Sequence, residues 1–260
     1  LIKPASPGNS LKLSIDLRVQ YAAYRALKAA MQKHQAKSGS VVVLDVQTGE
    51  VLAMANQPSF NPNDRSNLRP ESIRNRAVTD IMEPGSTVKP FTMLAALESG
   101  KFEPESVINT SPGYLKVSYK TFVDYRDYGQ LDMAGVLTKS SQVGTTKIAL
   151  ALNPDTTREL FERMGFGEVI GSGFPAETAG SLPAYRKWDP VTQATFAFGH
   201  GLSASSLQLA RAYSVLANDG IRYEVSMTAI ESAPESIQVV DSQLVKSVRT
   251  MLETAVGDTG

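Results

Sequence analysis

The apolar positions of the chain follow a helical period in several segments. Between residues 14 and 37 they recur every three or four positions, which predicts an amphipathic helix with Ser14 or Asp16 as its N-cap. Residues 56–80 show no period and are rich in Asn, Pro and Arg, so they predict a long loop. Further helical patterns cover 133–139, 144–152, 156–164, 206–217 and 241–255.

One segment has the pattern of strands instead. The stretch "SVVVLDVQTGEVLAMA" places two apolar runs on either side of Gln47-Thr48-Gly49-Glu50, which predicts an antiparallel hairpin with both faces covered. This order of elements is typical of an α+β domain, in which helices flank an antiparallel sheet. Since two strands make a poor sheet for so many helices, further strands are either hidden in the irregular segments or missing from this chain.

The helix after the Pro84-Gly85 turn carries candidate chemistry. It opens with Ser86-Thr87-Val88-Lys89, continues through an apolar run and ends at Gly100, a suitable C-cap. Positions i and i+3 at a helix start lie on one face, so Ser86 and Lys89 are expected to be hydrogen-bonding neighbours. Burial and the positive end of the helix dipole would lower the pKa of Lys89, which could then accept the serine proton.

The plainer interpretation of the tetrad is a helix cap followed by a solvated lysine. About one Ser-x-x-Lys is expected by chance in a chain of this composition. The long polar loop before the tetrad and the apolar helix after it favour the catalytic interpretation. Of the two histidines, His34 lies on a polar helix end and is expected to be solvated, while His200 lies between glycines and could line a site.

Composition removes several classes of function. Lys plus Arg and Asp plus Glu number 26 each, so the overall charge does not indicate a nucleic acid or an anionic membrane surface as partner. No cysteine is present, which excludes disulfides, thiolate nucleophiles and Cys-type zinc sites. The sequence also lacks an apolar run of transmembrane length, a G-x-S-x-G elbow, a P-loop and His-rich metal spacing.

Longer stretches resemble the transpeptidase domain of class B penicillin-binding proteins, and within that group the division-specific enzymes. The similarity covers essentially all 260 residues. It implies a penicillin-binding protein or serine β-lactamase-like fold, one transpeptidase domain over 1–260 and a helical subdomain over 80–220. The most specific parts are "GSVVVLDVQTGEVLAMANQPSFNPN", "RNRAVTDIMEPGSTVKPF", "GVLTKSSQVGTTKIAL" and "GLSASSLQLARAYSVLANDG".

Carried over to the matching positions, the resemblance implies roles for five residues. Ser86 is expected to be the acylated nucleophile, Lys89 its general base and Ser140 a proton relay to the leaving group. The Ser-x-Asn motif of the family falls on Ser140-Ser141-Gln142, so Ser141 and Gln142 are expected to bind substrate. Gln142 stands where the family has Asn, and its extra methylene moves the amide, which predicts altered substrate or drug handling.

The third motif of the family, Lys-Ser/Thr-Gly, has no match. The chain ends at Asp258-Thr259-Gly260, which shares only the last two positions of that motif. A carboxylate at Asp258 could not attract the terminal carboxylate of a substrate as a lysine would. We therefore expect the sequence to stop before the motif, which would explain the missing C-terminal strands and make this chain alone a poor catalyst.

The resemblance also implies the activity. We expect a peptidoglycan D,D-transpeptidase that uses no cofactor or metal, acts on stem peptides ending in D-Ala-D-Ala and is acylated by β-lactam antibiotics. It would work at the periplasmic face of the inner membrane, anchored by an N-terminal segment absent from this chain, with division-complex membrane proteins and no nucleic acid as partners.

Two alternatives remain open. A serine β-lactamase or D,D-carboxypeptidase would share Ser86 and Lys89 but transfer the acyl group to water. A catalytically impaired scaffold or β-lactam-sensing module would suit Gln142 and the absent third motif.

Overall fold

The computed structural model of the chain describes residues 7–64, 66, 68–183, 188–232 and 234–257. Its helices flank short antiparallel strands, so the fold is α+β, as predicted. The helices are α1 (Leu17–His34), α2 (Pro70–Ile73), α3 (Arg76–Thr79), α4 (Lys89–Glu98), α5 (Met133–Thr138), α6 (Gln142–Ala151), α7 (Pro154–Arg163), α8 (Pro190–Phe196), α9 (Ser206–Ala217) and α10 (Ser242–Ala255). The strands are β1 (Gly39–Leu44), β2 (Val51–Gln57), β3 (Ile108–Asn109), β4 (Tyr114–Val117), β5 (Lys120–Val123), β6 (Gln130–Leu131), β7 (Ile221–Tyr223) and β8 (Ser236–Gln238).

The hairpin β1–β2 is covered on both faces, as its uninterrupted apolar pattern predicts. Val41 and Val43 pack towards α1, whereas Val42 and Leu44 pack on the opposite side, where α3 and α9 lie. Successive side chains of a strand point to opposite faces, so two buried faces require an apolar residue at nearly every position. The hairpin and these helices form one end of the domain.

Most helix boundaries agree with the sequence pattern. Asp16, and not Ser14, caps α1, because its carboxylate accepts two backbone N–H groups of the first turn. Helix α9 has its predicted bounds, and α10 begins directly after Asp241, its N-cap. Capping side chains and a clear period together determine where these helices begin.

The irregular segments contain elements that the pattern does not reveal. Helices α2 and α3 lie within the predicted loop at 56–80, and α8 follows another irregular segment. Among the described residues, β3–β6, β4–β5 and β7–β8 are three additional antiparallel pairs. Their strands are too short to show alternation, so part of the apparent shortage of strands comes from strands hidden in irregular segments.

Helix α4 lies in the middle of the main hydrophobic core. Every residue from Lys89 to Leu97 is buried, and α5, α6, α7 and α10 pack around the helix. Phe91 contacts the rings of Phe161, Phe166 and Tyr213 edge-on, at centroid distances of 5.3 to 6.0 Å. A helix that is apolar on all sides is stable only inside a protein. The start of α4 is therefore held rigidly.

Candidate active site

Ser86 lies in a 3-10 turn, Gly85–Val88, immediately before α4, and its side chain is exposed. The carbonyl oxygen of Thr87, the next residue of the turn, accepts the hydroxyl of Tyr213 at 2.6 Å. Burial raises the pKa of Tyr213, which keeps this hydroxyl protonated and able to donate. The turn that carries Ser86 is thus braced by a side chain of α9.

The backbone that leads into this turn is hydrogen-bonded to a segment much later in the chain. Met82 and Ala204 exchange two backbone hydrogen bonds of 3.0 Å, and the Gly85 N–H donates to the Gly199 carbonyl at 3.1 Å. Gly199 has a φ of 86°, and a Cβ there would lie 2.1 Å from the Gly85 carbonyl oxygen. Only glycine permits this approach. The position of Ser86 therefore depends on residues more than 100 positions away.

Lys89 is the buried partner of the site. Only 2% of its surface is exposed, and its Nζ donates to both the carbonyl oxygen and the Oγ of Ser140, the latter at 3.0 Å. Burial lowers the pKa of Lys89 to about 8, although the negative charge of Asp124 acts in the opposite direction. The lowering expected from burial is confirmed. An amine with this pKa has a neutral fraction near pH 7 that can accept a proton.

The hydrogen bond expected between the side chains of Ser86 and Lys89 is not formed in this structure. Among the described residues, Ser86 Oγ has no hydrogen-bond partner, and the amine of Lys89 instead points to Ser140. Catalytic hydrogen bonds often form only when a substrate is bound. The buried amine thus connects the helix start with the Ser140-Ser141-Gln142 motif.

The three residues of that motif have different environments. Ser140, between α5 and α6, is exposed and has a φ of 49°. Ser141 is buried; its hydroxyl donates to Asp124 at 2.6 Å and accepts the Gly144 N–H at 2.8 Å. Gln142 is exposed, and its amide group has no partner among the described side chains and backbone. The Ser141 hydroxyl therefore caps α6 in this structure, and its role in substrate binding stays a prediction.

Asp124 is the site residue that sequence reasoning missed. It is buried directly after β5, and its carboxylate accepts the Ser141 hydroxyl and the N–H groups of Gln142 and Val143, at 2.6, 2.6 and 3.1 Å. A carboxylate at a helix N-terminus is favoured by the helix dipole. The same charge acts on Lys89. No local motif marks Asp124, since its partners lie 17 to 19 positions later in the chain.

His200 lies beside Glu83, three positions before Ser86. Its Nδ1 is 2.8 Å from Glu83 Oε2, and Glu83 Oε1 accepts the Gly201 N–H at 2.8 Å. The Gly201 N–H and the His200 ring hold the pKa of Glu83 below its usual range. His200 is therefore bound to the segment that leads into Ser86. His34 is exposed at the end of α1, as expected.

The described site consists of two exposed hydroxyls, one buried amine, one buried carboxylate and one exposed amide. Within the described ranges, no group of three or more His, Asp or Glu side chains is arranged to hold a metal ion. Asp258, Thr259 and Gly260, where the sequence partly mimics the third motif, lie outside the described residues.

Comparison with known sequences decides the family. Residues 39–260 match the family described as the penicillin binding protein transpeptidase domain. The chain belongs to this family. The resemblance found in the sequence is confirmed, and the transpeptidase fold accounts for the helices that surround Ser86 and Lys89.

Individual transpeptidases of this family are similar over nearly the whole chain. The probable peptidoglycan D,D-transpeptidase PenA of Neisseria flavescens is 44% identical over 255 residues, which are 97% of this chain and 63% of that protein. The peptidoglycan D,D-transpeptidase FtsI of Escherichia coli K12 is 41% identical over 246 residues, 95% of this chain and 42% of that protein. The chain spans about half the length of such relatives.

A solved transpeptidase domain has the same fold. The apo transpeptidase domain of Burkholderia pseudomallei penicillin-binding protein 3 superposes with a TM-score of 0.88 at 38% identity, covering 98% of this chain and 73% of that one. The similarity to penicillin-binding protein 3, expected from the sequence, is confirmed.

Proposed function

We propose that the whole protein is a serine-type D,D-transpeptidase, which cross-links peptidoglycan stem peptides ending in D-Ala-D-Ala during septal wall synthesis. The names of the curated relatives support the reaction. Ser86 Oγ attacks the carbonyl carbon of the penultimate D-Ala, and the terminal D-Ala leaves as its amine takes up a proton. An amine of a neighbouring stem peptide then attacks the acyl-enzyme, which forms the cross-link and releases the serine.

The observation that carries the proposal is the buried amine of Lys89 hydrogen-bonded to the exposed hydroxyl of Ser140. Neutral Lys89 accepts the proton of Ser86 as the hydroxyl attacks. Ser140, 3.0 Å from the same amine, passes a proton to the departing nitrogen. Proton transfer from the nucleophile to the leaving group also requires a contact between Lys89 and Ser86 Oγ, which in this proposal forms when the substrate binds.

Substrate binding in this proposal falls to exposed groups. Gln142 holds an amide of the stem peptide with its free side-chain amide, at the first position of α6. Ser141 and Asp124 do not touch substrate; they fix the N-terminus of α6 and thereby the position of Gln142. The Ser86 N–H, at the positive end of α4, stabilises the oxyanion.

Transfer to water is less well supported than transfer to an amine. A β-lactamase or D,D-carboxypeptidase needs a base that activates water against the acyl-enzyme. Glu83, three positions before Ser86, has both oxygens occupied by Gly201 and His200, and its lowered pKa makes it a weak base. Asp124 is occupied by three donors.

Mass spectrometry after incubation with a penicillin tests the proposal. Because β-lactams resemble D-Ala-D-Ala, we expect a stable adduct on Ser86 of the whole protein. Ser86→Ala should stay unmodified, while Ser236→Ala, which removes an exposed hydroxyl from β8, should react like the wild type. Rapid release of hydrolysed drug would indicate the β-lactamase. No adduct at all would overturn both enzymes and leave the impaired scaffold or sensing module.

The site of action follows from the substrate. Peptidoglycan lies outside the inner membrane, which supports the periplasmic face of that membrane as the location. The likeness to division-specific enzymes supports division-complex membrane proteins as partners. No helix in the described part of the chain has the length and apolar character to cross a membrane.

A further inference from the structure

The β4–β5 hairpin carries a row of exposed aromatic side chains beside the active site. We call Tyr114, Lys116, Tyr119, Val123 and Tyr125 the tyrosine rim. Tyr114 and Val123 are cross-strand partners, Tyr119 lies in the connecting turn and Tyr125 follows β5. Tyr119 is 77% exposed and Tyr125 is 96% exposed. Aromatic side chains this open to water, grouped on one hairpin, indicate a binding surface.

The inner face of the same hairpin fixes the rim next to the reactive groups. Phe122 packs edge-on against Phe198 at 5.7 Å, and Phe198 contacts His200 at 5.5 Å. Strand β5 then runs directly into Asp124, which holds the start of α6 and Gln142. A long ligand in the active site would therefore extend across the tyrosine rim.

The rim also has unpaired positive charge. Lys116 within the rim and Arg126 beside it form no ion pair among the described residues; Arg126 lies over the Tyr128 ring at 5.4 Å. The charge of Lys120, on the same hairpin, contributes to the lowered pKa of Glu83. The neighbouring carboxylate of Asp127 is already bound by the Ser111 hydroxyl and the Gly129 N–H. The surface is therefore both aromatic and cationic.

We propose that the tyrosine rim binds the glycan strand of peptidoglycan that carries the stem peptides, a step that rests on the proposed function. Sugar rings present flat C–H faces that pack on tyrosine rings, and their hydroxyls can bond the phenol groups. The carboxylates of the stem peptides match the lysine and arginine charges.

The chemistry of the rim fits a polysaccharide better than an apolar protein surface. Its rings are separated by polar positions, with Ser118 and Thr121 exposed between them. A protein partner that buries a hydrophobic patch would need contiguous apolar side chains. Separate amphipathic rings with cations between them suit a chain of sugars with acidic branches.

Co-sedimentation of the whole protein with purified peptidoglycan sacculi tests the proposal. We expect the double variant Tyr119→Ala, Tyr125→Ala to bind sacculi about tenfold more weakly, since two aromatic contacts are lost. Its acylation by penicillin, which is too small to reach the rim, should stay within about twofold of the wild type. Lys116→Glu should also weaken sacculus binding. The loss should be larger at low salt than at high salt, because salt screens the charge.

Matched variants on α1 provide the controls. Tyr21→Ala removes an exposed tyrosine that also lies near an arginine, with Arg25 at 5.6 Å, and Lys28→Glu reverses an exposed charge there. Neither should change sacculus binding. Equal binding by wild type and rim variants, or equal losses in the controls, would overturn the proposal. If the same rim variants lost binding to anionic lipid vesicles but kept sacculus binding, the glycan proposal would be overturned and the rim would instead bind a membrane surface. Absence of a penicillin adduct on the wild type would instead contradict the proposed function.

Discussion

Lys89 and Arg211 are two buried cations of the same domain with different surroundings. Each has 2% of its surface exposed. Lys89 donates to the neutral groups of Ser140. Arg211, on α9, donates through Nη2 to the Gly165 carbonyl at 2.8 Å and to the Glu168 carboxylate at 2.7 Å. The difference is a hydrogen-bonded carboxylate, present for Arg211 and absent for Lys89.

In the proposed mechanism this difference separates a general base, Lys89, from a structural ion pair, that of Arg211. Burial lowers the pKa of both groups, and a carboxylate charge opposes the lowering in each case, Asp124 for Lys89 and Glu168 for Arg211; only Glu168 is also hydrogen-bonded to its cation. A guanidinium remains charged in any case, because its intrinsic pKa is far above neutrality. Lys89, with a pKa of about 8, can change its charge. Burial without a bonded carboxylate is therefore what brings the pKa of Lys89 near neutrality, as the proposed base role requires.

Replacement of Lys89 should have the largest effect on chemistry. Lys89→Met keeps the packing of the stem and removes the base, so acylation by penicillin should slow about 1000-fold. Stopped-flow or gel assays with a fluorescent penicillin measure this rate. An unchanged rate would mean that another group is the base.

The same variant should be more stable than the wild type at neutral pH. The folded-state pKa of Lys89 is lowered from 10.5 to about 8, so below pH 8 the folded protein carries the full cost of a buried ammonium. Lys89→Met should raise the free energy of unfolding by about 1–3 kcal/mol at pH 7. The gain should shrink above pH 8 and disappear near pH 10.5. Urea titrations across this range measure it, and a gain independent of pH would exclude the titration of Lys89 as its cause.

Replacement of Arg211 should have the opposite effects, a loss of stability with little change in the acylation rate. Arg211→Met removes charged hydrogen bonds, so the free energy of unfolding should fall by about 2 kcal/mol, or about 30-fold in the unfolding equilibrium. Acylation by the folded protein should stay within about threefold of the wild type. Arg249→Met, which removes more exposed contacts to the end of α9, is the control and should cost less. An acylation loss as large as that of Lys89→Met would erase the distinction between the two cations.

Asp124→Asn sharpens the comparison, because it removes the negative charge that acts to raise the pKa of Lys89. The pKa of Lys89 should fall, so the rising limb of the acylation rate with pH should move to lower pH. The plateau rate should drop about tenfold, since charged hydrogen bonds to the start of α6 are weakened. Asp132→Asn, which alters the corresponding cap of α5, is the control. A lower plateau with an unmoved pH profile would leave Asp124 a purely structural role.

Gln142→Asn should have the smallest effect. Placing here the asparagine that the resemblance implies should raise the acylation rate by about threefold if the extra methylene displaces the amide. Gln243→Asn, an exposed glutamine in the first turn of α10, should have no effect. A slower Gln142→Asn variant would show that the rest of the site is matched to glutamine.

The sequence predicts those helices whose apolar residues recur with a clear helical period or whose ends carry capping side chains. Helix α9 has a capping box formed by Ser205 and Gln208, and its predicted bounds are correct. The strands β4 and β5 are four residues each, too short for alternation to stand out, and the hairpin that borders the site was missed.

The candidate site likewise contains residues that could be named from the sequence and residues that could not. Ser86 and Lys89 could be named from a short local pattern, and the Ser140-Ser141-Gln142 motif from the family resemblance. Asp124 and the bond from Lys89 to Ser140 could not, because they depend on segments 17 to 51 positions apart that only the fold brings together. The occupied hydroxyl of Ser141 was likewise hidden, since a motif does not show which of its members are buried.

The contact between Gly199 and Gly85 restricts the routes by which drug resistance can evolve. A side chain at position 199 would press on the backbone of the nucleophile's turn, so it would impair reaction with drug and stem peptide together. Selection by an antibiotic needs changes that separate the two reactions. Position 142, which is exposed and has an unbound amide, offers that freedom in the proposed function.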